Sequence, residues 1–311
     1  MRKKISIMGA GKVGSQAAMI LAYKQLGDIV LWNRTESVAK GVALDILESS
    51  PIEGFDVDVI GTGYYHDTAK SDVIIITAGA QRKEGQSRDD LLFINAEIVK
   101  GITENVVKYS KDAVIIVVTN PLDAMVWLAY QISNFNRNKV VGMAGILDTA
   151  RYRSFIAKEL RVSVEDVSAM VLGGHGDFML PLPAHTSING VPIKQLMPQR
   201  KIDEIIEHTR KAGEEIIKLE ESSAFFSPAY SLAVMVEAIL QDKKRVLPCA
   251  AYLQGEYGLR DIFMGVPVKL GSKGVEEIIE LELTEKEKSD FMKSSESIKS
   301  LIDKLKQKYQ L

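Results

Sequence analysis

Asp148, Arg151 and His175 are residue types that together can perform acid–base work on a carboxylate substrate. Asp148-Thr149-Ala150-Arg151 comes first, and the imidazole of Gly173-Gly174-His175-Gly176-Asp177 follows 27 residues after Asp148. A carboxylate can hold an imidazolium, and a guanidinium can clamp a carboxylate with two parallel hydrogen bonds. Imidazole suits proton exchange because its unperturbed pKa lies near neutrality.

A second chemical motif opens the chain. Gly9-Ala10-Gly11-Lys12-Val13-Gly14 fits G-x-G-x-x-G, after a predicted strand at Ile5–Met8 and at the start of a predicted helix. The first glycine allows the tight turn, the second admits backbone to a pyrophosphate, and the third lets the helix pack close to the strand. A second strand ends about 20 residues further on, the context that separates a dinucleotide site from a chance glycine turn. Combined with the acid–base set, the motif implies hydride exchange with a small hydroxy acid.

The position that usually reads the adenosine ribose departs from the common pattern. It is Asn33, 19 residues after Gly14, where Asp or Glu is usual, and Arg34, Thr35, Glu36 and Ser37 follow. Asp would repel a 2′-phosphate and Asn would not; Arg34 could pair with it, and Thr35 or Ser37 could donate hydrogen bonds. NADP is therefore favoured over NAD. Glu36 opposes that choice if it neutralises Arg34; the alternative is that Arg34 is a solvated loop residue or stacks on adenine without selecting a phosphate.

The elements that must position these residues follow from the spacing of apolar runs. Strands are predicted at 5–8, 29–32, 57–60, 73–77, 114–118 and 140–142, with helical patterns at 13–26, 38–47 and 91–109 between them. Several runs are apolar on both faces, as a buried parallel sheet requires. This alternation predicts a doubly wound α/β sheet. The second half predicts helices at 148–160, 202–219 and 228–240, with strands at 167–172, 185–188, 246–252, 266–270 and 274–281. Thr284-Glu285-Lys286-Glu287 is a capping box opening a last helix that carries Phe291, Ile298 and Leu305 on one face. The expected division is a dinucleotide-binding domain over 1–143 and a mixed α+β substrate domain over 144–311.

Length and composition agree with two domains. The chain has 311 residues, 46% hydrophobic and 26% charged, with a formal net charge of -2. That charge argues against nucleic acid or an anionic membrane as partner. No window approaches 18 uninterrupted apolar residues, and a cleaved leader would remove the first strand, so a cytoplasmic location is expected. The one cysteine, Cys249, lies in an apolar strand-like run and reads as a buried small hydrophobe. His66, His185 and His208 are not spaced with other ligand types for a metal, so no catalytic metal is expected.

These motifs, with Thr77-Ala78-Gly79, Arg82 through Arg88, Thr119-Asn120-Pro121-Leu122-Asp123, Gly142-Met143-Ala144-Gly145 and Asp261 through Pro267, form an ordered series along nearly the whole chain. The series resembles the lactate/malate dehydrogenase family, and within it the malate-type members built on the lactate-dehydrogenase pattern. The resemblance implies a Rossmann doubly wound parallel sheet followed by the mixed α+β substrate domain. It implies that His175 donates the proton in keto-acid reduction and accepts it in hydroxy-acid oxidation, with Asp148 orienting it. Arg151 would bind the C1 carboxylate, Arg88 would polarise the carbonyl from a mobile loop, and Asn120 would bond the reacting oxygen. Thr77, Gly79, Asn95, Thr119, Asn120 and Met143 would join Gly9, Gly11, Gly14, Asn33 and Arg34 around the cofactor.

Substrate choice turns on Arg82, six residues before Arg88. The lactate enzymes usually carry Gln there and the malate enzymes Arg. A guanidinium closed over the substrate seeks a second carboxylate, and discrimination of roughly 10³ against pyruvate follows from leaving it unpaired. Glu84 could quench Arg82 from within the segment. Met125 and Ala224 also agree with the malate pattern. Small-molecule malate or oxaloacetate is the expected partner, with self-association as a homotetramer or homodimer, for which Val42, Leu44 and Leu47 offer an apolar face. A lactate or other 2-hydroxy-acid dehydrogenase is the nearest alternative, and a non-catalytic dinucleotide sensor the remote one.

Overall fold

The computed structural model describes residues 2–80 and 88–310, Arg88 by its backbone. Short runs rich in Val and Ile form the inner strands, because β-branched side chains fit a pleated, covered surface. In chain order these are β1 (Lys4–Met8), β2 (Asp28–Trp32), β3 (Val59–Thr62), β4 (Val73–Ile76), β5 (Val114–Val117) and β6 (Val140–Gly142). Helices α1 (Lys12–Tyr23), α2 (Glu36–Glu53), α3 (Arg88–Tyr109) and α4 (Leu122–Ser133) make the connections. Every residue of β4 and β5 is buried, as expected of strands covered on both faces. The third strand sits two residues later than its apolar run suggests, because pairing of Ile29 through Trp32 with Val59 through Thr62 extends it towards the carboxyl edge.

The helix α4 carries no amphipathic stripe in the sequence. Leu122 through Ala129 are all buried, so polar residues have no face to mark. On α2, by contrast, Ala39, Ala43 and Ile46 are buried and Val42 packs against the core, while Leu44 and Leu47 face outward.

The second half begins with α5 (Gly145–Leu160), followed by β7 (Val167–Ser168), β8 (Val171–Leu172), β9 (Leu180–Pro181), β10 (Ser187–Ile188) and β11 (Val191–Pro192). It continues through α6 (Ile193–Leu196), α7 (Gln199–Glu220), α8 (Phe226–Leu240), β12 (Arg245–Gln254), β13 (Arg260–Gly271), β14 (Gly274–Ile278) and α9 (Glu285–Tyr309). The single strand expected at 167–172 is two, since β7 pairs with β10 and β8 with β9. The strand expected from His185 starts after a 3₁₀ turn at Pro183–His185.

One sheet crosses the chain's midpoint. Its order is β14-β13-β12-β6-β5-β4-β1-β2-β3 among the described residues. The strands β1 to β6 run parallel, and β12 joins β6 antiparallel with Ala250 opposite Gly142. Gly142 permits that approach, since a Cβ there would lie 2.9 Å from the Ala250 Cβ. A smaller apolar cluster, including Tyr152, Ile156, Met179 and Ile202, fills the space among α5, α7 and the short strands.

The last helix starts as its sequence predicts. Thr284 Oγ1 accepts from the Glu287 N–H at 3.3 Å, and Glu287 Oε2 accepts from the Thr284 N–H at 2.8 Å. Phe291, Ile298 and Leu305 of α9 are buried. Cys249 is buried in β12, where desolvation pushes its thiol up to about 12, consistent with a packing role.

Candidate active site

In an open α/β sheet, ligands sit at the carboxyl ends of the strands where the strand order reverses. That reversal falls between β1 and β4, because β2 and β3 extend the sheet on one side and β4, β5 and β6 on the other. Gly9 follows β1 with φ +130°, a conformation that side chains avoid. Thr77 Oγ1, following β4, donates to the Gly9 carbonyl at 3.0 Å and locks the two strand ends together. A Cβ on Gly14 would lie 1.8 Å from the Gly9 carbonyl oxygen, so α1 can start over this turn only with glycine there. A Cβ on Gly11 would meet nothing within 4 Å, and α1 has no side-chain cap. The unpaired N–H groups of that first turn, with open space before them, fit a pyrophosphate.

The neighbouring strand ends are held by side chains. A Cβ on Gly79 would lie 2.6 Å from Thr119 Cγ2, and Thr119 Oγ1 donates to the Ala78 carbonyl at 2.7 Å. Asn95 is buried on α3; its Oδ1 accepts from the Ala80 N–H at 2.7 Å and its Nδ2 donates to the Asn120 carbonyl at 2.6 Å. The polar atoms of Asn95 and Thr119 are thus engaged in joining the loops after β4 and β5. The exposed side chain of Asn120 makes no hydrogen bond among the described residues. Met143 is buried just after β6, its N–H donating to the Val117 carbonyl at 2.9 Å.

At the adenosine end, Asn33 follows β2. Its Oδ1 accepts from the Thr35 N–H at 2.9 Å, an Asx turn that leaves the amide N–H₂ to donate elsewhere. Arg34 is exposed and forms no ion pair among the described residues. Glu36 pairs with Lys40 at 2.9 Å, one helical turn along α2, rather than with Arg34.

The acid–base set assembles as its residue types suggest. Asp148 Oδ2 lies 2.8 Å from His175 Nδ1, and Asp148 Oδ1 accepts from Arg151 Nη1 at 3.3 Å. Asp148 and Arg151 share one face of α5 because they are three residues apart. The Asp148 side chain is 2% exposed, against 17% for His175 and 13% for Arg151. Engagement of Nδ1 leaves Nε2 as the ring nitrogen for a reactant. Burial opposes charge on His175, but the adjoining Asp148 carboxylate outweighs it, and the imidazole is held above its ordinary pKa. Arg151 Nε is buried without a partner among the described residues, and α7 packs over the guanidinium at Gly213. An unpaired buried N–H on a charged fork fits a carboxylate guest.

The loop carrying His175 is anchored by residues to which the sequence motifs alone assign no role. Gly173 and Gly265 of β13 exchange backbone hydrogen bonds at 2.9 and 3.0 Å. The Gly174 N–H donates to Ser294 Oγ of α9 at 2.8 Å, and the His175 N–H donates to Asp123 Oδ2 of α4 at 2.9 Å. A signal for Asp123 does exist: it is the lone charge in the apolar run Leu122–Tyr130. Gly265 lies in the Asp261–Pro267 segment with no role read for it there, and Ser294 has no comparable signal.

Other expected site residues are less directly placed. Arg82 and Glu84 lie outside the described residues, and Arg88 is placed only as the start of α3. Ala224 lies between α7 and α8, beside Ser222, which accepts from Lys12 Nζ at 2.8 Å. This contact ties the glycine turn to the segment holding Ala224. Met125 is fully buried in α4. His66 lies beside Asp67, and His208 pairs with Glu215 at 2.8 Å and stacks on Phe155.

Residues 3–142 match the family model for the lactate/malate dehydrogenase NAD binding domain, and residues 146–309 match that for the lactate/malate dehydrogenase alpha/beta C-terminal domain. The chain is 54% identical over 308 residues to the malate dehydrogenase of Roseiflexus castenholzii, covering 99% of this chain and 100% of the relative. The solved malate dehydrogenase of Salinibacter ruber is 50% identical with a TM-score of 0.94, covering 98% of both chains. A lactate dehydrogenase from Cryptosporidium parvum, solved with lactic acid and b-nicotinamide adenine dinucleotide, is 42% identical with a TM-score of 0.95, again over 98% of both. Backbone similarity of this order is shared by malate and lactate enzymes, so substrate choice rests on side chains.

Proposed function

The chain belongs to the lactate/malate dehydrogenase family, and on that premise we propose that it is a malate dehydrogenase interconverting malate and oxaloacetate. The observation that carries the reading is the buried Asp148–His175 pair with Arg151 beside it. A bound nicotinamide supplies or removes the hydride at the substrate's C2 carbon. Arg151 holds the C1 carboxylate through its guanidinium N–H groups, which fixes C2 beside the imidazole. In oxaloacetate reduction His175 gives the Nε2 proton to the carbonyl oxygen, and in malate oxidation the same nitrogen takes the hydroxyl proton. Asp148 keeps Nδ1 protonated in both directions and stabilises the charged ring. The Asn120 side chain donates to the reacting oxygen, Arg88 polarises it, and Arg82 meets the second carboxylate.

Arg82 supplies the substrate test. The wild type is expected to favour oxaloacetate over pyruvate by roughly 10³ in kcat/KM, and Arg82→Gln should erase most of that preference. Steady-state rates on both keto acids check it; a wild type that reduces pyruvate as well as oxaloacetate overturns the malate reading in favour of the lactate one.

The cofactor is NADP rather than NAD in this reading. Support comes from Arg34 and the Asn33 amide N–H₂, both without a partner among the described residues, and from the engagement of Glu36 with Lys40. Arg34→Ala should lower kcat/KM for NADPH by about 10- to 100-fold, the value of one or two charged hydrogen bonds, and leave NADH within about twofold. Equal losses with both cofactors would mean that Arg34 does not read the phosphate. Self-association as a homotetramer or homodimer in the cytoplasm completes the proposal. The outward Leu44 and Leu47 of α2 supply an apolar face for it.

A further inference from the structure

We propose that Asp123 is a second carboxylate serving His175, a positioning residue that acts through the histidine's own backbone N–H; this rests on the acid–base role given to His175 above. The geometry has three independent parts. Asp123 Oδ2 accepts from the His175 N–H at 2.9 Å, reaching across 52 residues of chain from the first turn of α4. The residue is 5% exposed, and its Oδ1 has no partner among the described residues. The neighbouring Gly174 is shaped to this contact, because a Cβ there would stand 3.3 Å from Asp123 Oδ2 and 2.9 Å from Ile298 Cδ1.

A buried carboxylate with one unsatisfied oxygen is an expensive way to anchor a loop. Asn offers the same carbonyl acceptor, and Ser294 already anchors the adjacent N–H with a neutral hydroxyl. The charge itself is what Asp adds, and it favours the protonated imidazole alongside the larger effect of Asp148. His175 therefore meets two carboxylates, Asp148 on the ring and Asp123 on the backbone. Among the described residues, Arg151 on α5 is the other charged group acting on it, with Asp177 two residues along its own loop, and Ser294 and Gly265 contribute none from α9 and β13; Arg82 and the Arg88 side chain lie outside those residues.

The charge is conditional. Burial, offset in part by the His175 N–H, raises the Asp123 carboxyl to about 6. Above that pH the carboxylate favours the imidazolium and grips the loop with a charge-assisted bond; below it both effects fade. His175 thus has most help in holding its proton above about pH 6.

Selective ¹⁵N labelling of histidine tests this on the intact protein without substrate. The His175 backbone amide should titrate with a midpoint near 6, set by Asp123, and separately from its own ring. Asp123→Asn should lower the ring pKa of His175 by about 0.5–1 unit and remove the amide's separate midpoint. Ser294→Ala, which loosens the same loop without touching charge, should leave the ring pKa in place. In turnover, Asp123→Asn should move the pH limbs of kcat/KM down by the same amount with little change in KM. An amide without an inflection near pH 6 overturns the proposal even if Asp123→Asn does not fold, and so does an unmoved ring pKa in a folded variant. A wild type that fails to oxidise malate removes the functional reading alone, because the titrations are made without turnover.

Discussion

Replacing His175 with Asn is expected to lower kcat for oxaloacetate reduction by about 10²–10⁴ while leaving dinucleotide affinity within about twofold. Asn can still meet Asp148, so the site stays filled and the loop keeps its backbone anchors to Asp123, Ser294 and Gly265. What is lost is a group that can give and take a proton near neutral pH. The glycine turn after β1 is built from Gly9, Gly14 and Thr77 and does not involve His175. Cofactor affinity can be followed by fluorescence, since Trp32 ends β2 beside Asn33 and stacks on Tyr65 at 4.7 Å. A variant keeping more than a tenth of the wild-type kcat would remove His175 from the chemistry. A parallel collapse of dinucleotide binding would show that the substitution had damaged the fold instead.

The second large effect is expected from Asp148→Asn, with kcat/KM falling by about 10³–10⁴, the scale seen when a buried carboxylate behind a proton-transferring histidine becomes an amide. Two causes combine. An amide can donate to Nδ1, which places the ring proton on the wrong nitrogen for one direction of the reaction. The ion-pair support is also lost, so burial and the nearby Arg151 charge then dominate and push the imidazole pKa down. The sign follows directly. Reduction needs protonated His175, and in the wild type the raised pKa carries that form above the ordinary imidazole range. In Asp148→Asn the alkaline fall in reduction therefore begins at lower pH. Malate oxidation needs the neutral ring, so its acid limb also moves to lower pH. Profiles of kcat/KM in both directions between pH 5 and 9 check this; limbs that stay in place would mean that Asp148 does not set the His175 charge.

The two carboxylates separate cleanly in these experiments. Asp148 contacts the ring, so its removal should change tautomer, pKa and rate together. Asp123 contacts the backbone, so its replacement by Asn should shift the titration with a much smaller loss of rate.

Much of the nucleotide half is legible along the chain. Its strands are β-branched runs between glycine-bearing turns, and a parallel sheet buried on both faces requires that composition. The capping box at Thr284 is equally local, since both of its bonds span three residues. What escapes is whatever lacks a local contrast. The first two turns of α4, Leu122 through Ala129, are buried on all sides and so have no polar stripe to set their period. The apolar run in β12 signals burial, yet nothing in it says that Ala250 pairs with Gly142 and extends the parallel sheet across the chain's midpoint.

The site divides along the same line. Sequence alone determines which groups are available: an imidazole, a carboxylate and a guanidinium, a turn that only glycine can make, and an Asn-Arg pair where an acid is usual. Each follows from side-chain chemistry or from neighbours within a few residues. Tertiary structure decides that Asp148 meets Nδ1 and not Nε2, that Asp123 grips the His175 N–H, that Glu36 is taken by Lys40, and that Asn95 holds two loops together. Only the packed structure, by setting dielectric and distance around the ring, determines that His175 retains its proton beyond the ordinary imidazole range.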